Sequence, residues 1–152
     1  MIRFHRIMAT CLGIGYIGKG GGTVAAVVTA IAWYLIQVGR EIHLGTQLTI
    51  TLLITALGIW SGNKVEAGWG KDDKKVVIDE MAGMCVSLLL IPMQLKYVIT
   101  ALVLFRFFDI VKPLFIRKTE QLPGGWGVMI DDVVAGIYAN ILLQLVISYN
   151  LF

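Results

Sequence analysis

An all-α fold, a small polytopic membrane bundle of about five helices, follows from three features of the sequence. Its 152 residues are 57% hydrophobic and only 15% charged, with a mean hydropathy of +0.79, whereas a soluble domain is roughly 45–50% apolar and about 25% charged. Five apolar segments of helical length alternate with polar turns, and the charged residues crowd into one alternate set of those turns. The length suits one membrane-embedded domain, residues 1–152. A net charge of +3, with bases and acids interspersed, gives no reason to expect a nucleic-acid partner. Cys11 and Cys85 form neither a disulfide framework nor a metal spacing.

In chain order, Arg3 and Arg6 precede a short apolar run, Ile7–Ile17, broken by Gly13 and Gly15 and without a cleavage pattern, so it reads as mature protein. Lys19-Gly20-Gly21-Gly22-Thr23 is a flexible link, a hinge or a loop able to wrap a phosphate with backbone N–H groups. The apolar segments are Val24–Val38, Leu44–Trp60, Val76–Ile91, Lys96–Phe108 and Val133–Phe152. Ser61–Lys75 and Lys112–Gly127 read as polar loops, and Gly39–His43 and Pro92–Gln94 as turns. Several segments are short against the roughly 17–25 residues of a span, which makes a soluble helical bundle the competing architecture. With the N-terminus inside and five crossings, every Lys and Arg except Arg40 and Lys96 lies on the inner side, as the positive-inside rule requires. Every acid except Glu41 falls on that side too.

The densest chemistry is in Phe105–Pro113, where Arg106, Asp109 and Lys112 recur every third residue and so share one helix face. Pro113 disfavours helical backbone at Lys112, ending the helix where the charges end. Two further acidic pairs, Asp79-Glu80 and Asp131-Asp132, stand in apolar sequence. Each ionised residue deep in a membrane helix costs about 2.5–3.5 kcal/mol, which marks such residues as functional candidates. Asp79–Gly83 and Asp132–Gly136 both read D-x-x-A-G. The Ala and Gly bare the aspartate's own helix face, so a second helix or a ligand can approach. This register makes Asp79 and Asp132 the central pair; aligning Val76–Asp79 with Val128–Asp131 would choose Asp131 instead.

His5 and His43 fall on opposite sides of the expected membrane, neither Cys has a basic neighbour, and no nucleotide-binding loop is present. Clustered carboxylates without His or thiolate suit a hard cation, Mg²⁺ above all, which keeps substrate phosphate in its shell. Arg106 and Lys112 complement phosphate oxygens, Arg as a planar fork and Lys as a point charge. Together these point to phosphoryl chemistry on a lipid head group. A small cation-handling transporter or channel subunit is the alternative, but it leaves Arg106 and Lys112 without a role.

The chain resembles the phosphatidylglycerophosphatase A family in Glu66, Asp72, V-I-D-E-M-A-G at Val77–Gly83, F-R-F-F-D-I-V-K-P at Phe105–Pro113 and G-G-W-G-V-M-I-D-D-V-V-A-G at Gly124–Gly136. Around Gly22-Thr23 it departs from the family, which usually has Pro before the Gly and Gly-Ser after the Thr; here Gly21 precedes and Ala25-Ala26 follow. The resemblance implies a Mg²⁺-dependent phosphatase of the bacterial cytoplasmic membrane that removes the terminal phosphate of phosphatidylglycerophosphate. Combined with the residues, it implies that Asp79, Glu80, Asp131 and Asp132 hold Mg²⁺, with Glu66 and Asp72 completing or closing the site. Arg106 and Lys112 then engage the phosphate, and Asp109 orients Arg106 or joins the metal shell.

Overall fold

The computed structural model describes residues 1–40, 42–71, 73–113 and 115–151. Among them are seven α-helices and no strand: α1 (Ile2–Ala9), α2 (Gly21–Gln37), α3 (Leu44–Trp69), α4 (Ile78–Ser87), α5 (Leu95–Val111), α6 (Ile116–Thr119) and α7 (Gly125–Ser148). The five apolar segments correspond to α2, α3, α4, α5 and α7; the expected count of about five rises to seven because short α1 and α6 are added. Of these, α3 and α7 are long and apolar enough to cross a membrane.

Several boundaries differ from the sequence reading: the expected segment Val76–Ile91 is helical only over Ile78–Ser87, and three further differences arise where residues are buried in contacts that hydropathy does not show. The expected loop Ser61–Lys75 is helical up to Trp69, since Ser61, Gly62 and Val65 are buried and continue α3's inner face. The last helix begins at Gly125, not Val133. A Cβ at Gly125 would run into the Ile59 carbonyl at 2.5 Å, so only glycine lets α7 start against α3, and the Asn63 Oδ1 accepts the Gly125 N–H at 2.8 Å. The N-terminal run opens with α1, which buries His5 and Ala9 and leaves Arg3 and Arg6 exposed. His5 lies 3.4 Å from the Ser61 Oγ and edge-on to Trp60, tying α1 to α3.

Helix α4 is the centre of the bundle, with all but Glu80 and Met81 of its residues buried, and it packs on α2, α3, α5 and α7. The repeated D-x-x-A-G marks its crossing with α7. A Cβ at Gly83 would strike the Phe105 ring at 2.5 Å and the Asp132 carbonyl at 2.6 Å, and one at Gly136 would strike the Gly83 carbonyl. The bare faces are thus filled by a helix, and the close approach brings the two aspartate turns side by side.

At the other end of α4 the last carbonyls have no intrahelical partner. Asn140 of α7 supplies one, donating from Nδ2 to the carbonyls of Ser87 (3.0 Å) and Leu89 (2.7 Å). The Gln144 amide donates to the Asn140 Oδ1 in turn. Asn140→Leu leaves buried acceptors unpaired, at about 1–3 kcal/mol for each such group. The expected result is a lower thermal midpoint in detergent, with Asn140→Asp no better than Asn140→Leu because a carboxylate cannot donate to the two carbonyls; equal midpoints for Leu and native protein would refute the role.

Candidate active site

Five chain segments converge at one end of the bundle on a cavity of about 410 Å³. They are the Gly18–Gly22 turn into α2, the segment before α4 with Asp73, Lys74 and Val76, the first turn of α4, the end of α5 and the first half of α7. Asp79, Glu80, Arg106, Asp109, Lys112, Asp131 and Asp132 all line it.

The basic residues are used unequally. Arg106 pairs with Asp109 one turn on, as its spacing on α5 suggests, and its Nη1 lies 3.8 Å from the Glu80 Oε1. Lys112 leaves the helix in the left-handed region, φ 47° and ψ 58°, and its ammonium contacts Asp131 at 2.6 Å and Glu120 at 2.5 Å. Burial works against the Lys112 ammonium, but hydrogen bonds and charge from Asp131 and Glu120 outweigh it and raise its pKa above the ordinary lysine value. Lys112 therefore carries its proton throughout the neutral range. At the rim, slight desolvation opposes ionisation of Asp73, but hydrogen bonds from the Lys75 N–H and ammonium prevail and hold its pKa below the usual carboxylate value.

Asp79 and Asp132 have no basic partner among the described residues, and each is more than nine-tenths buried. With Glu80 they can bring one oxygen each to within 4.8 Å of one another. Asp79 Oδ1, Glu80 Oε2, Asp131 Oδ1 and Asp132 Oδ2 are buried without a hydrogen-bond partner. Buried charges in proteins are paired or coordinate a metal, and these three residues could hold a cation that shares their negative field. All-oxygen donors of this kind fit Mg²⁺.

Of the two acidic pairs, the structure keeps Asp79 and Glu80 together and separates Asp131 from Asp132. Asp132 turns to the Asp79–Glu80 centre, the register in which the two D-x-x-A-G turns correspond, while Asp131 turns to Lys112. One expected metal residue stands apart. Glu66, in the last turn of α3, does not line the cavity; it lies beside the Gly124–Gly125 entry to α7. Helix α3 continues further than the sequence suggested and carries Glu66 along its own face. Asp72 lies outside the described residues.

The sequence reading missed Glu120, the second partner of Lys112, and the part played by Gly22. An acid in the loop after Lys112 was the available signal for the first. For the second it was the glycine run: a Cβ at Gly22 would overlap the Glu80 carboxylate, so glycine there lets α2 begin beside the acidic centre with Glu80 in its present place. Gly22→Ala should displace the flexible end of Glu80 and leave the backbone alone. The expected outcome is a thermal midpoint close to the native one with phosphatase activity at least about tenfold lower; unchanged activity would remove Gly22 from the site's construction.

The helical fold, with two helices long and apolar enough to cross a membrane, and this cavity of carboxylates with two phosphate-complementary cations suit a membrane-associated phosphatase, the class to which the comparisons assign the chain. The chain belongs to the phosphatidylglycerophosphatase A family, whose model matches residues 7–147. That membership sets aside the transporter alternative. The chain is 42% identical to a Bacteroides thetaiotaomicron protein provisionally named a phosphatidylinositol-3-phosphatase, over 90% of this chain and 89% of that one. It is 36% identical to the phosphatidylglycerophosphatase A of Haemophilus influenzae, over 90% and 85%, and 30% identical to that of Escherichia coli K12, over 86% and 76%. No solved structure matches.

Proposed function

We propose that the protein hydrolyses the terminal phosphomonoester of phosphatidylglycerophosphate, giving phosphatidylglycerol and phosphate, with Mg²⁺ held by Asp79, Glu80 and Asp132. The observation that carries this reading is the buried, unpartnered carboxylate oxygens of these three residues, set in one cavity with Arg106 and Lys112. When bound there, Mg²⁺ supplies positive charge against the negative charge that builds on the phosphoryl oxygens. Arg106, steadied by Asp109, presents its guanidinium to those oxygens, and Lys112, anchored by Asp131 and Glu120, adds a fixed positive charge. Buried walls of α4 and α7 keep bulk water from the carboxylates, which strengthens each of these interactions.

The cavity end of the bundle also carries Arg3, Arg6, Lys19, Lys64, Lys71, Lys74 and Lys75, whereas Arg40 and Lys96 mark the opposite end. This asymmetry supports a multi-pass protein of the bacterial cytoplasmic membrane with the site facing the cytoplasm. A second reading, a phosphoinositide monophosphate as substrate, is favoured by the name of the Bacteroides thetaiotaomicron relative.

Phosphate release by detergent-purified protein tests both readings. Phosphatidylglycerophosphate and phosphatidylinositol 3-phosphate are compared in Mg²⁺ and in EDTA. The expected result is Mg²⁺-dependent release with the higher kcat/KM on phosphatidylglycerophosphate. Preference for the inositol lipid would move the assignment to the second reading, and release that survives EDTA would remove the metal from it.

A further inference from the structure

A second cavity, of about 190 Å³, lies between α2, α3 and α4 and is almost wholly apolar. We propose that it holds an acyl chain of the phospholipid whose head group occupies the carboxylate cavity, an inference that rests on the lipid phosphatase reading above.

Continuity is the first argument. The same two helices line both cavities: α2 through Gly22 and then Val28, Ala32 and Trp33, and α4 through Asp79 and Glu80 and then Met81 and Cys85. A helix rises 1.5 Å per residue, so Val28 stands about 9 Å and Trp33 about 16 Å beyond Gly22 along α2. In a glycerophosphoglycerol lipid about ten covalent bonds separate the terminal phosphorus from the ester carbonyl, on the order of 12 Å when extended at bond lengths near 1.5 Å. A head group seated among the carboxylates thus delivers its acyl chain at the depth where the apolar cavity lies.

The lining gives the second argument. Trp33 is 6% exposed, and its indole N–H is buried without an acceptor. A buried donor of this kind ordinarily finds a partner, and an ester carbonyl is an acceptor that an acyl chain brings with it. At the far end Gln37 and Gln47, both lining residues, bond to each other at 3.1 Å, so that end is closed by a polar pair that needs nothing from a ligand. The cavity therefore presents one unmet donor and an apolar wall, the complement of an ester-linked chain.

Ala32 lines this cavity and is exposed in it, so Ala32→Phe fills the space without disturbing the core. Phosphate release is measured on dipalmitoyl phosphatidylglycerophosphate and on its deacylated head group. The variant is expected to raise KM for the diacyl lipid about tenfold and to leave kcat/KM for the head group within about twofold. An equal change on both substrates, or on neither, would overturn the proposal. A second readout needs no turnover: phosphatidylglycerol brominated along its chains should quench Trp33, as the difference between native protein and Trp33→Phe, and Ala32→Phe should relieve that quenching. Relief in protein that cleaves neither lipid phosphate keeps the acyl site and rejects the substrate reading. Quenching indifferent to Ala32→Phe identifies ordinary bilayer lipid and rejects the acyl site.

Discussion

Asp132→Asn is expected to lower phosphate release by about 10²–10³-fold, the loss typical when one preorganised electrostatic group is removed from a catalytic centre. The exchange keeps shape and volume and removes a charge that has no basic partner of its own. The variant should therefore fold, and its thermal midpoint should equal or exceed the native one, because an uncompensated buried charge has gone. Asp131→Asn provides the contrast. Asp131 is committed to Lys112, so its loss should affect KM for the phosphate ester more than response to Mg²⁺. If Asp132→Asn retains full activity, or if the two variants are indistinguishable in their Mg²⁺ titrations, the division between a metal-facing Asp132 and a lysine-facing Asp131 is wrong.

Gly83→Val has the largest expected effect on folding. Its Cβ position is already occupied by the Phe105 ring and the Asp132 carbonyl, neither of which can retreat without opening the α4–α7 or α4–α5 contact. Overpacking of a core typically costs about 1–3 kcal/mol and sometimes more; with backbone as one obstacle, a cost of about 3 kcal/mol or above is expected. The measurement is the yield of monodisperse protein and its thermal midpoint in detergent, with Gly83→Ala as the milder step. A native-like midpoint for the valine variant would show that the two helices do not cross at Gly83.

Much of this was legible in the sequence because it depends on spacing within one helix. The i,i+3 relation of Arg106 and Asp109 produced their ion pair, and Pro113 marked the end of α5 at Lys112. The D-x-x-A-G echo foretold bare faces, though not that each would be filled by the other's helix. Tertiary approach was illegible. Gly62 and Gly125 look like loop residues by composition, yet both are helical because their backbones meet, a relation between residues more than sixty positions apart. Glu66 was grouped with the other acids by its neighbours in sequence, whereas the continuous turn of α3 decides where it points. Glu120 reached Lys112 only because the left-handed backbone there turns the lysine toward α6 and α7.

The brevity of α4 has a consequence for how the protein sits in lipid. Ten residues rise only about 15 Å, half the roughly 30 Å thickness of a bilayer's hydrocarbon. If the bundle is embedded as proposed above, with Asp79 at the aqueous face, the turn after Ser87 falls near the membrane's midplane, where no solvent can receive its carbonyls and irregular backbone survives only if protein encloses it. Asn140 then does for a mid-bilayer turn what water does for a surface loop. In that placement the helix that carries the acidic centre is a half-span, plugged from below by a single amide.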